Sequence, residues 1–410
     1  MHRALVIMGC CASALGCGAR PAAPAAAPGA VRPGIDVLLD DSLAMVRGRR
    51  LGLVTNQAGV DAQGMSDVTR LRAAGLQLVA LFSPEHGFRG AADPGATVAS
   101  SVDSATGLPI YSLYGRNTAP SDAMLDGIEV LLVDLQDAGA RYYTYLFTTV
   151  EVMRAAAPRG IRVIVLDRPD PIGGAVQGNV LDPSYASPVG LLAIPMRHGM
   201  TLGELARLAR SDLGLSTDLA VVPVAGWRRA TPFARTGLPF IPPSPNLRTL
   251  ESLYHYPGLC LFEGTNLSVG RGSDAPFEQI GAPWLDTAAV LARVREAGLP
   301  GVRFSGVRFT PEHPGDGKYA DTLLAGIRLK VTDPARYDPA VTAVHLLAAV
   351  RELSGSRFGW LAAHFDRLAG GPELRERIDA GTPPAAISGE WAAPLEHFRE
   401  RRRAALLYPE

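Results

Sequence analysis

The chain has 410 residues, and 40 Lys+Arg balance 40 Asp+Glu. That length accommodates two or three domains with cores of their own, and 47% apolar against 20% charged residues excludes wholesale disorder. Zero net charge offers no global field to attract nucleic acid or an anionic membrane surface.

The chain opens on the short basic start Met1-His2-Arg3, followed by an apolar or small run, Ala4–Gly16, that is too short to span a bilayer. This is the layout of a secretory signal peptide. Its end, Ala14-Leu15-Gly16-Cys17, is similar to a bacterial lipobox, with Ala14 where such a motif carries Leu. Ile7-Met8-Gly9-Cys10 fits that position better but follows a very short apolar run. Residues 1–17 are therefore expected to be a signal with Cys17 as the lipid acceptor. The protein is then expected to be exported, as a periplasmic or outer-membrane-attached bacterial lipoprotein that touches membrane only through the anchor. In residues 18–33, thirteen of sixteen are Ala, Pro or Gly, which reads as an extended tether. Processing at Cys17 leaves only Cys260 unmodified, so no internal disulfide is expected, and no Cys/His cluster has zinc-site spacing.

Four apolar runs then read as buried strands: Leu51–Thr55, Gln77–Phe82, Ile128–Val133 and Ile161–Leu166. Helical patterns over Asp67–Ala74 and Thr148–Ala157 alternate with them. This order predicts a mostly parallel, Rossmann-like α/β sheet, and no GxGxxG follows the first strand to suggest a dinucleotide. Each strand runs directly into polar residues: Asn56-Gln57, Glu85-His86, Gln136-Asp137 and Asp167-Arg168. Ligands of open α/β sheets bind outside the carboxyl ends of the strands, so these four ends together define a candidate site. Further along, Thr201-Leu-Gly-Glu204 matches a capping box and makes Glu204 structural, while His198 lies in the loop before that helix. Leu219–Val224 reads as another strand, and Pro242–Asn246 as a rigid turn. After a boundary near 245–250, the helix Thr287–Ala297, the strands Val302–Phe309 and Ala325–Val331, and helices near 340–354, 357–369, 371–379 and 390–405 describe a smaller α+β domain. The expected division is 34–247 for the first domain and 248–410 for the second.

Seven segments occur in a characteristic order: Ser83-Pro-Glu-His-Gly-Phe-Arg-Gly90, Asp134-Leu-Gln-Asp-Ala-Gly-Ala-Arg-Tyr-Tyr-Thr-Tyr145, Leu166-Asp-Arg-Pro-Asp-Pro171, Pro195-Met-Arg-His-Gly-Met-Thr201, Ser244-Pro-Asn246, Phe262-Glu-Gly-Thr-Asn-Leu-Ser268 and Gly270-Arg-Gly272. In this order they resemble the NamZ-type exo-β-N-acetylmuramidases, from about residue 35 to 405. The resemblance implies a Rossmann-like domain followed by a smaller one, with the active site between them. It implies release of N-acetylmuramic acid from the non-reducing ends of peptidoglycan fragments, with MurNAc-GlcNAc saccharides as partners and no cofactor. Asp170 stands where the family usually has Asn, and Val269 and Ser273-Asp274 replace Glu and Thr-Thr-like residues.

Glycoside hydrolysis needs a carboxylic acid that protonates the leaving oxygen. Glu85 is the best candidate, because it follows a buried strand where desolvation favours a neutral carboxyl, and the Glu in the matching motif is the presumed general acid/base. The second carboxylate stays open among Asp134, Asp137, Asp167 and Glu263, and the substrate acetamido group is a further alternative. Asn56, Gln136, Asn246 and Asn266 offer amides for sugar hydroxyls, and His86 and His198 can orient carboxylates or bind hydroxyls. The lactyl carboxylate of muramic acid calls for a cation, with Arg141, Arg168, Arg197 and Arg271 as candidates and Arg271 favoured. Two other functions compete: a cell-wall-binding lipoprotein without turnover, and a metal-dependent hydrolase using His86, Asp134 and His198. Nothing in the sequence addresses oligomeric state.

Overall fold

The computed structural model describes Met1, residues 30–93 and residues 95–410. The signal segment, Cys17 and most of the tether lie outside the described residues. Nine strands belong to the first part of the chain: β1 (Arg50–Thr55), β2 (Gln77–Ser83), β3 (Ser101–Val102), β4 (Pro109–Ser112), β5 (Val130–Asp134), β6 (Arg162–Leu166), β7 (Gln177–Val180), β8 (Pro195–Arg197) and β9 (Leu219–Val222). Seven of them form one sheet in the order β3-β4-β2-β1-β5-β6-β9, parallel except for the edge strand β3. β7 and β8 pair separately, antiparallel.

The central strands are apolar at every position because both faces of the sheet are covered. Leu51, Leu53, Leu132 and Ile164 point to one face, where they meet Ile35 and Leu38 of helix α1 (Gly34–Asp41) and Leu71 of α2 (Asp67–Ala73). Their neighbours Val54, Leu131, Val133, Val163 and Val165 point to the other face. There they pack with Val150 and Met153 of α3 (Tyr145–Ala156) and Leu205 of α4 (Leu202–Asp212). The helix α1 and the short strands β3, β4, β7 and β8 carry little periodic signal and were not expected. The chain also docks before residue 34: Val31 is buried against Val224, Trp227 and Tyr408, and Arg32 exchanges backbone hydrogen bonds with Ala225.

The second part begins with α5 (Leu250–Leu259) and builds a three-stranded antiparallel sheet, β10 (Gln279–Ala282), β12 (Leu324–Val331) and β11 (Val302–Phe309), in the order β10-β12-β11. The helices α5 and α6 (Thr287–Glu296) pack against it and α7 (Pro339–Ser354) packs on both of them, followed by α8 (Ala362–Ala369), α9 (Glu373–Asp379), α10 (Pro384–Gly389) and α11 (Ala392–Arg402).

Two sets of contacts join the parts. The last carbonyls of α8 have no partner within the helix and are met from the first domain. Arg141 Nη2 donates to Leu368 O at 2.9 Å, Asn179 Nδ2 to Ala369 O at 2.7 Å and the Asp182 amide to Gly370 O at 2.9 Å. The last residues then return to the first domain. Arg402 donates to the carbonyls of His198 and Gly199, and the Leu407 amide to Glu204. Glu204 completes the expected capping box with Thr201 and is also held bidentately by the buried Arg229 at 2.6 and 3.1 Å. Asp167 is fully buried and accepts from Thr201 Oγ1 (2.6 Å), the Gly203 amide (2.8 Å) and the Tyr408 hydroxyl (2.5 Å).

Burial outweighs these three donors and pushes the Asp167 carboxyl up to about 7. The folded state therefore holds this proton where the unfolded chain, with a carboxyl near 3.8, has released it. The contribution is complete at low pH and declines as pH rises toward 7. Thermal unfolding across pH 4–8 should show that Asp167→Asn flattens this decline, and an unchanged slope would count against it.

Candidate active site

The carboxyl ends of β1, β2, β5 and β6 lie side by side in the sheet, because these strands are adjacent and parallel. β2 ends at Ser83, and the turn after it places His86 at φ 72° and Gly87 at φ 76°. A positive φ is uncommon for a non-glycine residue and is tolerated where surrounding contacts hold it. Here His86 Nδ1 lies 2.8 Å from Ala92 O, and the Ala92 amide donates back to His86 O.

This turn presents Glu85, which is 9% exposed. Its Oε2 accepts from Thr144 Oγ1 at 2.8 Å and its Oε1 from the Gly95 amide at 3.1 Å. Thr144 is the N-cap residue of α3 but makes no side-chain cap bond; its hydroxyl serves Glu85 instead. Tyr114 adjoins the same carboxylate, and its phenol is raised by burial and then by the charge of Glu85. Thr144, Tyr114 and Gly95 were not singled out as site residues, and only Thr144 lies in one of the motifs. Burial lowers the His86 imidazole, and the charge of Arg271 lowers it further against the opposing pull of Glu85. The Gly270-Arg271-Gly272 loop of the second part thus reaches the electrostatic neighbourhood of His86, the residue after Glu85.

Arg271 is 6% exposed and its guanidinium lies 5.0 Å from the Phe277 ring centre. Nε and Nη2 both bond Glu263 Oε1, at 2.8 and 2.6 Å, and Nη1 has no partner among the described residues. Asp137 is a second carboxylate with an unspent oxygen. Its Oδ1 accepts from the Gly139 amide at 2.7 Å and lies 3.3 Å from His198 Nε2, while Oδ2 makes no hydrogen bond with the described residues. His198 Nδ1 accepts from the Met200 amide at 3.2 Å, so Nε2 is the protonated nitrogen that faces Asp137. The buried Tyr145 phenol is raised by burial and feels the charges of both Glu85 and Asp137. It donates to Pro243 O, as does Tyr143, and Gln57 Nε2 donates to Pro242 O. These three bonds hold the Pro242–Asn246 turn over the strand ends. The Asn246 backbone amide donates to Ser244 Oγ at 3.3 Å, and its side-chain amide makes no hydrogen bond with the described residues. Phe88 and Arg89, which follow the Glu85 turn, line a cavity of about 370 Å³ together with Asn56 and Gln57, a size within the range of small-ligand pockets.

Other expected contact residues are spent on the protein itself. Asp134 and Arg168 face each other rather than a ligand: both Asp134 oxygens accept from Arg168, through Nη2 at 2.9 Å and through Nε, and the pair is buried. Arg141 has no acidic partner. It donates to the carbonyls of Asn179, Ile194 and Leu368, which makes it a clasp between domains rather than an anion site. Arg197 donates to Gln177 and to Ile172 O. The Asn56 amide bonds Tyr145 and the Ala58 amide, Gln136 bonds the carbonyls of Asp137 and Pro169, and Asn266 bonds Arg357 and Gly359. The tyrosine run packs inward, with the Tyr142 hydroxyl donating to Pro257 O. His86, Asp134 and His198 each have separate partners, and no group of three or more His, Cys, Asp or Glu among the described residues is arranged to hold a metal ion. Removing the Asp134 charge leaves Arg168 buried with Asp67, 3.9 Å away, as its nearest carboxylate among the described residues. Asp134→Asn should therefore lower the free energy of unfolding in urea by about 3 kcal/mol.

Comparison with known proteins agrees with this architecture. The model of the exo-β-N-acetylmuramidase NamZ N-terminal domain matches residues 51–251, and that of the C-terminal domain matches residues 254–408. The chain is 42% identical over 381 residues to the peptidoglycan β-N-acetylmuramidase NamZ of Bacillus subtilis, covering 92% of this chain and 91% of that protein. Crystal structures of two DUF1343-family proteins of Bacteroides fragilis superpose with TM-scores of 0.85 and 0.76, each at 32% identity over 93% of this chain and 100% and 99% of theirs. The chain belongs to the NamZ exo-β-N-acetylmuramidase family.

Proposed function

We propose that the protein is an exo-acting glycosidase that releases N-acetylmuramic acid from the non-reducing ends of peptidoglycan fragments, with Glu85 as general acid/base. The observation that carries this reading is the fixed carboxylate of Glu85, bonded once at each oxygen by Thr144 and Gly95. The carboxylate, with the Tyr114 phenol also beside it, keeps acceptor capacity for the proton that passes to the leaving glycosidic oxygen. Asp137 is the second carboxylate in this reading. Its unspent Oδ2 can face a water, the sugar ring or the acetamido group, whereas both oxygens of Asp134 are occupied by Arg168. Arg271 supplies the cation for the lactyl carboxylate: Glu263 fixes its plane and Nη1 remains free to donate. In the same reading residues 1–17 are an export signal with Cys17 acylated, and attachment rests on that lipid. No described helix is long and apolar enough to cross a membrane.

Glu85→Gln should reduce kcat/KM on MurNAc-GlcNAc or a chromogenic muramide by about 100-fold or more. NMR of the released anomers would report turnover and stereochemistry together, and saccharide binding without release, unaffected by Glu85→Gln, would favour a non-catalytic cell-wall-binding protein. Arg271→Lys keeps a charge opposite Glu263 but loses the planar fork. It should raise KM for the muramide roughly tenfold and leave an analogue lacking the lactyl group unchanged, so an equal loss on both substrates would argue against the carboxylate contact.

A further inference from the structure

Behind Asp137 and His198 lies a third titratable group that the mechanism above does not use. Asp170 follows β6 in the loop Asp167–Pro171 and is 1% exposed. Its Oδ1 accepts from the Ile172 amide at 3.0 Å, while its Oδ2 is buried with no partner among the described residues. The turn carrying Asp137 wraps closely around it. Gly139 has φ 75°, and a Cβ there would sit 2.7 Å from Asp170 Oδ1. The charged and titratable groups that act on Asp170 are His198, Asp137 and Arg197, while Arg229 and Tyr254 feel its charge in turn. None of the two arginines bonds it: Arg197 donates to Gln177 and Ile172 O, and Arg229 to Glu204, Gly199 O and Tyr408 O.

A buried carboxylate oxygen with no donor is costly when ionised, whereas a protonated one is far less so. Beside it, His198 receives the Met200 amide at Nδ1 and turns its Nε2 proton to Asp137. His198 and Arg197 pull toward a charged Asp170 without bonding it, so the cluster offers Asp137 as the place for one negative charge and no hydrogen-bond donor at Oδ2 for a second.

We propose that Asp170 is a positioning residue that holds a proton at Oδ2 in the working enzyme, so that Asp137 is the single negative charge facing the substrate. When Asp170 releases that proton to solvent, a second buried negative charge appears beside Asp137. It opposes the arrival of an anionic sugar and loosens the His198–Asp137 contact. The inference rests on the reading of Asp137 as the second carboxylate. Burial and the neighbouring Asp137 charge hold the Asp170 carboxyl up at about 6, against the ordinary value of 3.8. The loss of activity thus falls on the alkaline side of the profile.

The test is kcat/KM on a chromogenic muramide from pH 5 to 9, a profile that reports groups of the free enzyme. The native enzyme should lose activity as Asp170 ionises. Asp170→Asn should retain activity within about threefold at the acid end, since it removes no direct substrate contact, and should move the alkaline limb up by roughly one pH unit or abolish it. A native profile flat from pH 5 to 8, or a limb unmoved in Asp170→Asn, overturns the proposal. Carboxyl ¹³C titration of Asp-labelled protein gives a readout independent of turnover. Asp170 should titrate well above the ordinary range and move down in Asp137→Asn, and an ordinary midpoint overturns the proposal even if Asp170→Asn fails to fold. Unaltered turnover in Asp137→Asn would instead remove the catalytic role of Asp137 while leaving the Asp170 titration readable.

Discussion

A parallel sheet covered on both faces leaves its strand ends as the places where the chain can gather polar groups without losing core. In β5 every residue is buried, and the side chains alternate between the cluster that includes Ile35 and the one that includes Val150. Polar chemistry is thereby pushed off the strands into the turns that follow them. Those turns must also satisfy each other, because they are buried too. Most of the polar residues at this edge consequently bond protein, and only a few atoms remain unspent. Among the described residues, Asp137 Oδ2, Arg271 Nη1, Asp170 Oδ2 and Ser83 Oγ make no hydrogen bond, and the first two are the atoms on which the proposed chemistry draws.

This division between supporting and available groups follows from hydrogen-bond capacity. A guanidinium that meets a carboxylate through two nitrogens, as Arg168 meets Asp134, neutralises it and anchors two adjacent strand ends. A guanidinium that meets only carbonyls, as Arg141 does, joins segments without creating an anion site. Arg271 combines the two conditions. It is fixed by Glu263 from one side and retains a buried, unpartnered Nη1 on the other, the donor that the proposed contact with an anionic sugar would use.

The sheet was readable from the sequence because buried parallel strands are continuous apolar runs, and Leu51–Thr55, Gln77–Phe82 and Ile161–Leu166 each lie within one or two residues of β1, β2 and β6. The capping box at Thr201 and Glu204 was readable because it is a local pattern with a fixed spacing. The role of Glu204 as the partner of Arg229 was not, since no spacing rule links a helix start to a loop beyond the next strand. The same limit separates the motifs from the site. Asp134, Asp137, Arg141 and Arg168 look equivalent as polar residues at strand ends, yet crossovers far apart in sequence decide that Asp134 meets Arg168 while Asp137 meets His198. Short strands such as β3 and β7 are too brief to show a period at all.

The return of the chain's last residues onto the first domain has a temporal consequence. The hydroxyl that completes the bonding of Asp167 belongs to Tyr408, 241 residues later, and the Leu407 amide completes Glu204. Synthesis proceeds from the N-terminus, and domains generally fold in that order. The parallel sheet can assemble while the ribosome is still at work, but Asp167 and Glu204 stay incompletely bonded until Leu407 and Tyr408 emerge. Residues 407 and 408 thus act as the closing step of the beginning, so a product that stops short of them is unfinished at its N-terminal core.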